Sequence, residues 1–178
     1  MAACLRLLLV VAVSISLRRI SATVTVEDAC QHTKYPAYCV NALSARPESK
    51  AAADLPALAE LSLALAAESG AATVSFVRNL GKMPGGLPPE CLEECVAKFQ
   101  EAVAELRRSK AALEERGDAA GAKAWATAAR VDGDTCMDDC NKVEGGASPD
   151  IADRIQELGK LCSIALALTN ASSRNSAA

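Results

Sequence analysis

The chain has 178 residues, 51% of them hydrophobic and only 3% aromatic, and a formal charge of −3. That length supports one domain with one hydrophobic core, and that apolar content excludes a chain disordered by composition. A core of alanine and leucine, poor in aromatics, favours closely packed helices over a β-sandwich.

Residues 1–22 read as a secretory signal peptide. Arg6 precedes the apolar run 7–13, and Ile20-Ser21-Ala22 offers a small residue for a cut after Ala22. The run is shorter than the ~20 residues a membrane anchor needs. Removal of 1–22 takes Arg6, Arg18 and Arg19 and no acid, so 19 basic residues become 16 against 22 acidic ones and the charge becomes −6. An acidic mature chain argues against nucleic acid and for a basic protein surface as partner. No later segment reads as long and apolar enough to cross a membrane, so no membrane association is expected after the signal is removed.

Cys30 and Cys39 bracket a short stretch containing Pro36 and are suited to clamp a helical hairpin. Asp54 is a good N-cap and Pro56 is tolerated in a first helical turn. Leu58, Leu61, Leu65, Ala72, Phe76 and Leu80 then step by three and four, which predicts one long helix ending near Gly81. Residues 83–89 are rich in Pro and Gly and read as a loop. The next helix is expected over 90–116, with an apolar stripe of Leu92, Cys95, Phe99, Ala102, Leu106 and Leu113, and Gly117-Asp118 breaks it. A third helix is expected over 120–131, interrupted by Asp132-Gly133-Asp134 before a further turn through Cys140. Ser148-Pro149 caps a last helix striped by Ile151, Ile155, Leu158, Leu161, Ala165 and Leu168. The tail 171–178 is small and polar and reads as flexible. Four long amphipathic helices with short joints predict an all-α, antiparallel four-helix bundle over 23–170.

Cys4 leaves with the signal, so seven cysteines remain, and an odd number leaves at least one without an intramolecular partner. Secretion makes disulfides the expected chemistry. Cys91/Cys95 and Cys136/Cys140 are each spaced i, i+4 and so share a helix face. If their helices run antiparallel, Cys95 meets Cys136 and Cys91 meets Cys140. A Cys95–Cys136 link would close a loop of about 40 residues, worth roughly 4 kcal/mol in the chain-entropy description. Cys162 falls on an apolar face and reads as a buried core thiol. Zinc on these cysteines is disfavoured by the secretory signal and by the lack of paired Cys-x-x-Cys.

Catalytic groups are scarce. His32 is the single histidine and lies inside the Cys30–Cys39 loop, which leaves no histidine cluster for a metal and no second one for a nucleophilic triad. Asp132/Asp134 and Asp138/Asp139 lack the spacing of a calcium loop and read as solvated acids at a helix end, suited to a basic partner. Asn170-Ala171-Ser172 is an N-glycosylation sequon. No catalytic residue, cofactor, metal or small-molecule substrate is expected.

Four blocks in order resemble the plant invertase and pectin methylesterase inhibitors. They are Cys30-x2-Thr33-x2-Pro36-x2-Cys39, then Glu94-Cys95 with Phe99, Ala102, Val103 and Leu106, then Trp125-Ala126-Thr127-Ala128-Ala129 with Thr135-Cys136-Met137-Asp138, and finally residues 161–168. The resemblance implies a four-helix bundle with an N-terminal α-hairpin, disulfides Cys30–Cys39 and Cys95–Cys136, and a free cysteine at Cys162. Cys91 and Cys140 depart from the family pattern, and their pairing is an expectation of helix geometry alone. The family holds two inhibitory activities. The Pro-Lys-Phe of invertase inhibitors is missing from 116–121, which favours pectin methylesterase as the partner and leaves acid invertase as the alternative. The resemblance puts the enzyme-contacting positions at Ala97, Lys98, Glu101, Ala104, Thr135 and Asp138. It implies a non-enzymatic, secreted, apoplastic inhibitor that covers the pectin-binding cleft. A lipid carrier is the contrasting reading, but adjacent Cys-Cys and Cys-x-Cys pairs are lacking and a leucine-filled bundle leaves little cavity.

Overall fold

The computed structural model describes residues 24–52, 54–83, 86–146 and 148–176; the expected signal peptide lies outside them. Two short helices, α1 (Val26–Cys30) and α2 (Pro36–Ser44), form an N-terminal hairpin, followed by a 3-10 turn at Pro47–Lys50. Four long helices follow: α3 (Leu55–Leu80), α4 (Pro89–Arg116), α5 (Ala119–Cys140) and α6 (Pro149–Ser176). Helix α3 packs on α4 and α6, and α5 packs on the same two, so the four close into an antiparallel bundle.

Local chemistry sets the helix ends. Asp54 accepts from the Ala57 backbone N–H at 3.0 Å, and Asp118 from that of Gly121 at 2.8 Å. Gly117 takes a left-handed φ of 59°, which lets the N–H of Asp118 close back on the Ala112 carbonyl at 2.9 Å. That glycine is the corner between α4 and α5.

Leu58, Leu63, Phe99, Leu106, Leu158 and Leu168 are fully buried between the long helices. Alanines fill the closest approaches, among them Ala66, Ala102, Ala126 and Ala129. A Cβ on Gly70 of α3 would stand 2.9 Å from Val103 Cγ2 of α4, so hydrogen is the only side chain that fits without displacement. The Ser109 hydroxyl, buried in α4, donates to the Ala122 carbonyl of α5 at 2.7 Å and satisfies the one polar group that crosses there.

Disulfides join Cys30 to Cys39, Cys91 to Cys140 and Cys95 to Cys136. The first ties α1 to α2; the other two form a ladder across α4 and α5. Cys162 is free and buried, and burial pushes its thiol up to about 12, so it stays protonated and inert.

Four expectations need correction. The stripe on α3 is shifted: Ala72 is exposed and Phe76 half-buried, while Thr73, Val74 and Val77 face inward. Helix α5 runs unbroken through Asp132-Gly133-Asp134, because Gly133 is buried where Leu158 of α6 packs, 3.3 Å from the position of a Cβ. Helix α6 continues past Ala171 to Ser176; Ser172 is buried and Ser173 Oγ donates to the carbonyls of Thr169 and Asn170. Helix α3 is, by length and composition, long and apolar enough to cross a membrane, contrary to the sequence reading. Half of its apolar stretch is buried inside the bundle, which accounts for that character.

Phe99 is the largest fully buried side chain, and Trp125 is 36% exposed. Phe99→Ala should therefore lose about 3–5 kcal/mol in denaturant unfolding of the oxidised protein. Trp125→Ala should lose less than about 1 kcal/mol. Equal losses would contradict this placement of the core.

Candidate partner-binding face

The disulfide ladder fixes how α4 and α5 face each other. Cys91 lies opposite Cys140 and Cys95 opposite Cys136. Further along the same seam, Lys98 Nζ lies 3.6 Å from Asp132, and the Arg108 guanidinium stacks 5.1 Å from the Trp125 ring. Residues flanking this seam on the outer side of α4 and α5 include the expected partner-contacting positions.

Ala97, Glu101 and Ala104 are exposed on α4, and Lys98 is half-buried between Glu101, at 2.9 Å, and Asp132. The hydrogen bond to Glu101 raises the pKa of Lys98 and keeps it charged. On α5, Asp138 is exposed, and the half-buried Thr135 hydroxyl donates to the Val131 carbonyl at 2.9 Å. Lys98 and Glu101 are thus in contact, while Thr135 and Asp138 stand on the neighbouring helix. Asp138 also borders a groove of about 660 Å3 between α5 and α6, with Arg130, Asp134 and Lys160 on its walls.

The sequence reading missed three members of this face, Val131, Arg108 and Glu105, and placed Asp132 only among acids suited to a basic partner. Val131 is 51% exposed on α5, as an apolar side chain among charged neighbours, and Trp125 on the same helix is 36% exposed. Arg108 covers one side of Trp125. Glu105 and Asp132 belong to one carboxyl cluster with Glu101. An apolar residue at an outward helical position is the one sequence signal for Val131. The cross-helix pairs leave no signal until the register is known.

Glu105 is the perturbed acid. Its Oε2 is shielded from solvent and has no hydrogen-bond partner among the described residues. Burial pushes its carboxyl up to about 7, the charge and hydrogen bond of Asp132 and the charge of Glu101 add to this, and Arg108 opposes it. Between the ordinary glutamate value and about 7 the group therefore holds a proton that a free glutamate would have released.

No pair of groups on this face forms a nucleophile–base arrangement, and His32 is exposed in the turn between α1 and α2. The Sγ atoms of Cys91, Cys95 and Cys140 lie within 4.8 Å of one another, yet each belongs to a disulfide and offers no thiolate to a metal. Asn170 is half-buried within α6.

A disulfide-tied antiparallel helical bundle with a helical hairpin at its N-terminus defines the structural class. Residues 24–168 match the family described as plant invertase/pectin methylesterase inhibitor, and the chain belongs to that family. Among curated relatives, pectinesterase inhibitors 11 and 3 of Arabidopsis thaliana are each 29% identical, over 160 and 161 residues. These alignments cover 82% of this chain and 79% and 77% of theirs. Pectinesterase inhibitor 1 of the same plant is 26% identical over 149 residues, covering 82% of this chain and 81% of its own. A crystal structure of a mutant form of an Arabidopsis pectin methylesterase inhibitor superposes with a TM-score of 0.64 at 26% identity, covering 79% of this chain and 92% of that one. A second Arabidopsis inhibitor structure, at 24% identity and TM-score 0.57 over 82% and 93% of the two chains, shares the fold.

The raised pKa of Glu105 has a thermodynamic consequence. A carboxyl with a higher pKa folded than unfolded stabilises the fold fully below its ordinary value of 4.5 and loses that contribution as pH rises through about 7. Glu105→Gln is neutral at every pH. The Tm of wild type should therefore fall relative to the variant between pH 5 and pH 8 and run parallel to it below pH 4. Parallel curves across the whole range would contradict the shift.

Proposed function

We propose that this chain is a secreted, non-enzymatic inhibitor of pectin methylesterase that forms a stoichiometric complex and lays its α4–α5 face across the enzyme's substrate cleft. The family membership and the relatives named pectinesterase inhibitors support the target class. The observation that carries the reading is the face itself. Small side chains at Ala97 and Ala104 leave the helix backbones open to close approach, Val131 and Trp125 offer apolar surface, and Glu101 and Asp138 supply negative charge.

Two disulfides hold the helices beneath that face, so little conformational freedom is lost on binding. Apolar burial would supply affinity, while the acids would steer a basic enzyme surface and set the orientation. Inhibition by covering a cleft needs no cofactor and no chemistry of the inhibitor's own. In this reading residues 1–22 are the signal that exports the chain to the apoplast.

The test is titration of a plant pectin methylesterase and, separately, an acid invertase with the purified mature protein. Loss of methylesterase activity that saturates near one equivalent, with invertase unaffected, is expected. Inhibition of invertase alone would assign the chain to the family's other activity.

Charge reversal tests the face. Glu101→Arg combined with Asp138→Arg should weaken methylesterase binding by about tenfold or more, mainly through slower association, with helicity unchanged. The same double reversal at Glu68 of α3 and Asp153 of α6, both exposed, should leave binding unchanged. Equal effects at both places would sink the assignment of the face.

A further inference from the structure

The disulfide ladder joins two bonds that touch. Cys140 Sγ lies 3.3 Å from Cys95 Sγ, although the two belong to different disulfides. The outer rung stands at the chain ends of its helices, Cys91 in the first turn of α4 and Cys140 as the last residue of α5. Both rungs are buried, Cys91 and Cys140 at 1% exposure and Cys95 and Cys136 at 0%.

Cys91 also lines a cavity of about 260 Å3, walled by Glu90, Glu94, Asp139 and Val143. That volume admits a small molecule. Its wall carries three carboxylates, of which Asp139 is paired with Lys142 at 2.6 Å. Such a mouth repels anions and favours neutral or positively charged visitors.

We infer that Cys91 is a modification site for neutral or cationic low-molecular-weight thiols, and that its opening passes the Cys95 bond from Cys136 to Cys140. In the first step a thiolate entering the cavity attacks Cys91 Sγ. A new disulfide forms between the thiol and Cys91, the Cys91–Cys140 bond breaks, and Cys140 leaves as a thiolate. In the second step Cys140 attacks the Cys95 sulfur already in contact with it. The Cys95–Cys140 bond forms, the Cys95–Cys136 bond breaks, and Cys136 leaves as a thiolate that takes a proton. Two disulfides stand at the start and two at the end, so no net oxidant is consumed. In reverse, the Cys136 thiolate attacks Cys95 and frees Cys140, and Cys140 then attacks Cys91 and expels the added thiol as its thiolate, which restores the original pairs and makes the modification reversible. Helices α4 and α5 stay linked throughout the second step, through Cys95 paired first with Cys136 and then with Cys140.

The test uses the intact mature protein, incubated with cysteamine or with glutathione at equal thiolate concentration. Samples are quenched in acid, alkylated in denaturant and mapped as unreduced peptides by mass spectrometry. Cysteamine should appear on Cys91, with a Cys95–Cys140 link and alkylation at Cys136. It should react about tenfold faster than glutathione, a gap that closes in high salt. Adducts on Cys140, or alkylation confined to Cys140 with Cys95–Cys136 intact, would overturn the exchange. Equal rates for the two thiols would overturn the assigned thiol class. A second arm needs no added thiol: Cys91→Ser releases Cys140 during folding. The purified variant should contain both Cys95–Cys136 and Cys95–Cys140 links, and a variant with only the former would contradict the transfer.

Discussion

The covalent ladder between α4 and α5 is the constraint on which the rest of the molecule depends. Two helices of an alanine-rich bundle have shallow ridges and grooves, and small side chains alone define the slide of one helix past another weakly. Cys91–Cys140 and Cys95–Cys136 fix that slide at two successive turns. Everything further along the seam inherits the register: Lys98 against Asp132, Ser109 against the Ala122 carbonyl, Arg108 against Trp125.

The same scarcity of aromatics explains where glycine and alanine sit. Gly70 lets α3 approach Val103 of α4, and Gly133 lets α6 seat Leu158 against α5. Fully buried polar groups at Ser62, Thr73 and Ser109 are satisfied by backbone carbonyls, so the thin core carries little electrostatic cost. The exception is Glu105, whose shielded oxygen belongs to the outer seam.

Much of this architecture is legible in the residues. Asp54, Gly117 and Asp118 mark helix ends by local chemistry, and the structure uses them in that way. The stripes of α4 and α6 are legible because charged residues cover their other faces. Helix α3 is less so, because it packs on both α4 and α6 and is apolar around much of its circumference, which blurs any single stripe. Asp132-Gly133-Asp134 reads as a break from propensity alone; the packing of Leu158 against Gly133 overrides it. At the serine-rich end of α6, which continues as helix, the Ser173 hydroxyl bonds back to the Thr169 and Asn170 carbonyls and Ser172 is buried. The candidate face was visible as separate positions on two helices. The grouping of Glu105 with Asp132 and the exposure of Val131 depend on register and tertiary packing, which no local pattern encodes.

The central claim is that partner recognition belongs to the outer α4–α5 face. Carbodiimide footprinting of the carboxylates, with and without pectin methylesterase, tests it directly. The account predicts that Glu101 and Asp138 lose reactivity in the complex while Glu68 of α3 and Asp153 of α6 keep theirs. Protection of Glu68 and Asp153 with Glu101 and Asp138 still reactive would contradict it.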